Sequence, residues 1–322
     1  MSAITNVQGD GQAPREQLRS GGQSLNVIPK WVNIIFHAAL IFGSLFCILP
    51  LVLILSASFS DEQAVAEFGY SMIPRGFTVA AYEMLFAKGS TVTTAYANTI
   101  LTTIAGTLLC VVMVGLYAYP LSRRRFRFSG FFTFFSFFTM LFGGGLVPFY
   151  ILVRQILGLY NTLFALFLPS CFSAFWVIVM RTFYRTNVPE EVIESARIDG
   201  AGEWRTLLQI VAPLAVPGLA TVALFSTIGL WNNFFNCLLF CDDPQYYNLQ
   251  FFIYQTLTNI TFLKEAAASM GAARGLQINL AALPSETFRM AMAIVTIGPI
   301  VLAYPFFQRF FIKGLTIGAV KG

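Results

Sequence analysis

The chain has 322 residues, of which 57% are hydrophobic and 11% charged, with a formal net charge of +5 and a mean hydropathy of +0.70. Soluble domains carry about 25% charged residues, so this composition excludes an ordinary soluble domain and predicts an all-α protein that crosses a membrane several times. The positive charge does not call for nucleic acid as a partner, because it follows the unequal distribution of Lys and Arg between the loops.

Residues 1–30 are polar and rich in Gly, Gln and Ser, and predict a cytoplasmic amino-terminal tail. The first apolar run begins only at Trp31 and is too long for the core of a cleavable leader, so a signal-anchor is expected. Six runs approach the ~20 residues needed to cross the hydrocarbon: 31–57, 95–122, 129–151, 162–184, 214–239 and 286–311. They define a transmembrane domain over 31–311, followed by a cytoplasmic tail at 312–322. Of the 20 basic residues, fourteen fall in the two tails, at Arg309 beside the second of them, in the 123–127 connection and in the 185–213 connection or its flank. Basic residues are retained on the cytoplasmic side, which predicts cytoplasmic termini and a cytoplasmic 185–213 loop between the fourth and fifth spans.

Few side chains in the spans offer chemistry. His37 is the only histidine, and Cys47, Cys110, Cys171, Cys237 and Cys241 lie in or beside spans without CxxC or metal-ligand spacing. They suit small apolar packing rather than a disulfide framework. The sequence contains no GxxxxGK[ST], HExxH or GxSxG. Gly143-Gly144-Gly145 has no following Lys and precedes Pro148, which predicts a helix break or a close helix approach rather than a nucleotide loop. An intramembrane enzyme lacks its constellation here. An ion-coupled carrier would need buried acids or histidines at mid-membrane depth. Active transport would then draw its energy from another polypeptide.

The 185–213 loop is the polar segment best suited to docking. Pro189 fits the first position of a helix whose amino-terminal end is complemented by Glu190 and Glu191, and Gly200 closes it. A second short helix is expected from Ala201. Trp204, Leu207, Leu208 and Val211 form one apolar stripe on it until Pro213 stops it. Glu194-Ser195-Ala196, Asp199-Gly200-Ala201, Ile210 and Pro213 keep every spacing of the EAA loop of ABC importer permeases, whose form is E-A-A, three residues, G, nine residues, I, one residue, L-P. Ser195 and Ala212 are mild departures. Further likenesses include Ser58-Phe59-Ser60, Ala118-Tyr119-Pro120-Leu121-Ser122, Gly143 to Pro148, Leu157 to Thr162, Trp231 to Asn236 and Lys313 to Gly322. With these, nearly the whole chain resembles the carbohydrate-uptake branch, similar to the smaller maltose-type permease and to permeases for complex oligosaccharides such as alginate or pectin fragments.

The resemblance implies a multi-pass subunit of the bacterial cytoplasmic (inner) membrane with no cofactor of its own. Its expected partners are a second homologous permease, a dimer of ATPases that bind ATP and Mg, an extracytoplasmic solute-binding protein, and a carbohydrate. Glu194 would offer its carboxylate to an Arg of the ATPase, Ala196 and Gly200 would permit close approach, and Trp204 and Leu207 would tie the loop to the helices beneath. The tail residues Gly314, Leu315, Thr316 and Lys321 would reach the same partner. In the 240–285 segment, too long for a turn, Lys264, Arg274, Gln277 and Asn279 are candidates for docking the binding protein. Trp231, Asn232, Asn233 and Asn236 are candidates for lining the substrate path, with Asn232 and Asn236 expected on one helix face; interhelical hydrogen bonding is the alternative for these amides.

Overall fold

A computed structural model describes residues 29–87, 91–274 and 286–319, and the described residues form helices without strands. Helix α1 spans Lys30–Ser58, and two short helices, α2 (Glu62–Phe68) and α3 (Ala80–Leu85), precede the long α4 (Thr91–Ser122). Residues up to Leu51 make a unit of their own, in which the side chains of α1 from Phe36 to Phe46 are exposed. His37 donates there to the Asn33 carbonyl one turn back, 2.7 Å away.

The second unit, from Val52 onward, is built around α4. Its buried positions Ala95, Asn98, Thr99, Thr102, Gly106, Cys110, Val114 and Ala118 recur every three or four residues and are mostly small. In a membrane helix, such a stripe lets neighbouring backbones approach closely and gives them polar side chains to pair. Helices α8 (Ala174–Asn187) and α12 (Val216–Trp231) pack against it. Thr107 and Thr227 hydroxyls meet at 3.1 Å, and Cys110 Sγ lies 3.1 Å from Ser226 Oγ. Thr99 Oγ1 accepts from the Leu249 amide at 2.8 Å, which fixes the start of α14 (Leu249–Arg274) against the same stripe.

Two of the expected spans are bent pairs rather than single rods, and a third bent pair joins the second half of the 185–213 loop to the fifth span. Helix α5 (Ser129–Leu141) and the run Leu146–Ile156, made of α6 (Leu146–Ile151) and a π-helical turn (Leu152–Ile156), meet at 109°. The break is Gly143-Gly144-Gly145, where Gly145 has φ +84, so these glycines interrupt a helix; among the described residues, a Cβ at any of them would meet nothing within 4 Å. Helix α7 (Leu163–Phe167) with its 3₁₀ extension to Ser170 meets α8 at 51°. The segment Glu203–Leu214 meets α12 at 78°. With each pair taken as one span, the described residues provide up to six; Lys30–Ser58, Thr91–Ser122 and Glu286–Phe306 are long and apolar enough singly.

Three boundaries differ from the sequence reading. The fifth span ends at Trp231, is interrupted at Asn232–Phe234, and resumes as α13 (Phe235–Phe240). The 240–285 segment is not an extended loop over most of its length, because α14 occupies 26 of its residues. Helix α15 (Glu286–Ala319) runs on through 312–319.

Candidate functional site

The 185–213 segment forms two short helices around a left-handed glycine. Helix α9 (Glu190–Ile198) begins one residue later than expected, with Pro189 as its N-cap (φ −59, ψ 136) and Glu190 and Glu191 in the first turn. Its end is a Schellman closure. Gly200 takes φ +78 and donates to the Arg197 carbonyl at 3.0 Å, while the Ala201 amide donates to the Ala196 carbonyl at 2.9 Å. Only glycine adopts this φ without strain. Gly200→Val should therefore cost about 1–2 kcal/mol although a Cβ has open space there, and Gly200→Asn should cost less. Thermal melts of the purified complex check this; equal melts for Gly200→Val and wild type would count against a backbone role.

Helix α9 is two-faced. Ile193 and Ala196, three apart, are buried, and Ile193 joins a core cluster with Val114, Ala118, Tyr184, Val188, Leu207 and Val211. Glu191, Glu194, Ser195 and Ile198 are exposed. Among the described residues, Glu194 has no ion-pair or hydrogen-bond partner.

The second helix departs from the expected single stripe. After α10 (Glu203–Arg205), the backbone over Thr206–Val211 is π-helical, before α11 (Ala212–Leu214). The wider turn makes residues three apart diverge. Leu207 (6% exposed) and Val211 face the core, whereas Trp204 (68% exposed) and Leu208 face outward. Leu207 thus ties the loop to the helices beneath, but Trp204 does not. Pro213 does not end the helix by itself: it sits inside α11, and the break falls at Ala215 (φ −95, ψ 5). Ile210 is half-buried.

Polar contacts bolt this knuckle to the end of α4. Arg123, 4% exposed, reaches Glu190 at 3.5 Å and lies 5.2 Å above the Tyr119 ring. Burial pulls its pKa below the ordinary guanidinium value, and the Glu190 charge opposes that shift. Tyr119 donates to Glu203 Oε2 at 2.9 Å, and Arg197 Nη2 donates to Glu203 Oε1 at 2.7 Å. The hydrogen bond to Glu203 raises the Arg197 pKa. Arg181 and Arg185 donate to the Leu121 and Ser122 carbonyls at 3.1 and 3.3 Å, satisfying the open end of α4. Sequence reading counted Arg123, Arg181 and Arg185 only as topology markers, and it missed Glu203 and Tyr119. The contacts of Arg123 with Glu190, of Tyr119 with Glu203, and of Arg181 and Arg185 with the end of α4 span between 60 and 84 residues, so no local pattern announces them.

The amides expected on one face of the fifth span are instead divided by the break after Trp231. Asn232 is exposed; Asn236 is 4% exposed and donates to Ser170 Oγ at 2.9 Å and the Leu166 carbonyl at 3.2 Å. Asn233 also reaches Ser170 Oγ (3.2 Å), and its carbonyl accepts from Asn248 Nδ2. Trp231 is buried, with its Nε1 donating to the Thr296 carbonyl at 3.1 Å and its ring edge-on to Tyr96. Asn232 and Asn236 therefore do not share a face, and Gln250 is the side-chain partner of Asn232 at 3.3 Å. Lys264 and Arg274 lie within α14, and Gly314, Leu315 and Thr316 lie in the last turns of α15. Gln277, Asn279 and Lys321 lie outside the described residues.

A family model described as the binding-protein-dependent transport system inner membrane component matches residues 111–317, from the middle of α4 through the knuckle to the end of α15. The chain belongs to this family. This inner membrane component is 34% identical to Protein LplC of Bacillus subtilis over 85% of its own length and 90% of the relative's. It is 31% identical to the polygalacturonan/rhamnogalacturonan transport system permease protein YtcP of the same organism, covering 90% of this chain and 98% of that one. Its fold matches a chain from the crystal structure of a bacterial ABC transporter involved in the import of the acidic polysaccharide alginate, with TM-score 0.74, 28% identity, and coverage of 88% and 97%. The apolar helices and bent pairs are those of a transport component set in a membrane, and the matched region contains both α9 and the contacts that hold it.

Proposed function

We propose that the chain is the permease subunit of a binding-protein-dependent ABC importer for oligosaccharides that contain uronic acids. It pairs with a second permease, and α9 is the docking element for an ATPase that powers transport. The observation that carries the coupling is the exposed carboxylate of Glu194. Among the described residues it stands without a partner, on a helix whose opposite face is in the core and whose ends are tied to α4 through Arg123–Glu190 and Tyr119–Glu203–Arg197. A helix held this way moves as a rigid piece with α4, so displacement of α9 by a partner shifts the spans.

The substrate class rests on two relatives, YtcP and the alginate transporter, both named for acidic polysaccharides. The 28%-identical arabinooligosaccharide permease protein AraQ of Halalkalibacterium halodurans favours a second reading, a neutral oligosaccharide. Vesicles holding this chain with its partner permease, ATPase and binding protein should take up galacturonate or mannuronate oligomers when ATP is supplied. Uptake of arabinooligosaccharides alone would replace the acidic class with the neutral one, and uptake without ATP would overturn the importer reading.

A further inference from the structure

Beside the knuckle lies a cavity of about 460 Å³ whose lining combines apolar and cationic side chains. The last turns of α4 contribute Leu116, Tyr119 and Pro120, and Phe126 and Leu207 add to the apolar lining. Three guanidinium groups, Arg123, Arg125 and Arg197, line it with one carboxylate, Glu203. Arg123 is engaged by Glu190 and Arg197 by Glu203, but Arg125 is exposed and has no acidic partner among the described residues. The exposed indole of Trp204 lines the mouth.

We infer that this cavity binds an anionic phospholipid from the leaflet at that end of α4, with the phosphate at Arg125 and Arg197 and the upper acyl chain against Leu116, Pro120 and Phe126. Two features favour a lipid over a soluble anion or a protein partner. The apolar wall is continuous with a membrane-crossing helix, so an acyl chain entering it need not leave the hydrocarbon. The excess cation sits where that helix ends, the arrangement by which basic pockets at a membrane surface take anionic headgroups, and the exposed Trp204 in the same lining is the residue type that membrane–water interfaces favour. A phosphate at Arg197 would also compete with Glu203 for its guanidinium, placing the lipid at the contact that ties α9 to Tyr119.

The test uses the whole transporter complex in phosphatidylcholine bilayers doped with either brominated phosphatidylglycerol or brominated phosphatidylcholine, with Trp204 emission taken as the difference between wild type and Trp204→Phe. Brominated phosphatidylglycerol should quench Trp204 at mole fractions where the zwitterionic lipid does not, and Arg125→Ala should weaken that preference about fivefold. Arg125 is exposed and has no acidic partner among the described residues, so this variant does not put folding at risk. Equal quenching by both lipids would mean ordinary boundary lipid and would overturn the proposal. So would the absence of Trp204 quenching, which would mean that protein fills the cavity, or relief of quenching by millimolar inorganic phosphate, which would assign it to a soluble anion.

Discussion

Glu194→Ala should abolish coupled uptake while leaving the chain folded and inserted. The side chain is exposed and has no described partner, and surface substitutions of this kind change stability by about 0.5 kcal/mol or less. Its proposed contact, a carboxylate meeting an arginine of the ATPase, contributes about 1.5–3 kcal/mol as a hydrogen bond to a charged group. Retention of the ATPase should therefore fall by a factor of roughly ten to a hundred. Glu194→Arg should do worse, because it places like charges together. Glu191→Ala is the informative comparison: Glu191 lies three residues earlier on the same exposed face, so a general loss of acidic attraction would weaken both variants alike, whereas a specific anchor makes Glu194 the more sensitive. Co-purification of the ATPase, ATP-driven uptake and the melting temperature separate these cases. Wild-type ATPase retention with normal uptake in Glu194→Ala would remove the anchor role.

Much of this joint was legible in the sequence because its signals are local. A proline and two acids at the start, a glycine six residues after Glu194, and apolar residues three apart fix α9 and its closure within a dozen positions. The second helix was less legible, since the π-helical turn over Thr206–Val211 leaves no residue-type mark and decides that Trp204 faces outward. The same limit governed Trp231 to Asn236. An i, i+4 spacing implies one face only if the helix continues, and here it ends at Trp231, with Asn248, Ser170 and Leu166 supplying partners from distant segments. Hydropathy located the apolar runs but not their bends; the 109° bend at Gly143-Gly144-Gly145 was marked by its glycines, whereas the 51° and 78° bends carry no such mark, because a run stays apolar whether its helix is straight or turned. The contacts of Arg123 and Glu203 were out of reach for a related reason: charge position along the chain predicts sidedness, whereas pairing depends on which helices pack together.

That packing can be tested at Gly106, where substitution should damage the fold itself. Gly106 lies in the small-residue stripe of α4, and an added Cβ would fall 2.7 Å from Leu230 Cδ1 and 2.9 Å from Phe167 Cβ. The Leu230 contact is with the end of a flexible side chain and can be relieved by rotation. Phe167 Cβ is attached directly to the backbone, so α7 must move. Gly106→Ala gains up to about 1 kcal/mol of helix propensity against an overpacking cost of typically 1–3 kcal/mol, and should come out modestly destabilised. Gly106→Leu adds three further carbons and should lower the melting temperature strongly or prevent assembly. The displacement also reaches the end of α12, because Leu230 precedes Trp231, whose indole is held by the Thr296 carbonyl of α15. Two controls isolate the mechanism. At Gly229, one residue before Leu230, a Cβ meets nothing within 4 Å, so Gly229→Ala should be neutral or slightly stabilising. Adding Leu230→Ala to Gly106→Ala should recover part of the lost stability by vacating the nearer contact, even though Leu230→Ala alone is destabilising. Additive damage in that double variant, or a wild-type melt for Gly106→Leu, would show that close approach at Gly106 is not what holds α4, α7 and α12 together.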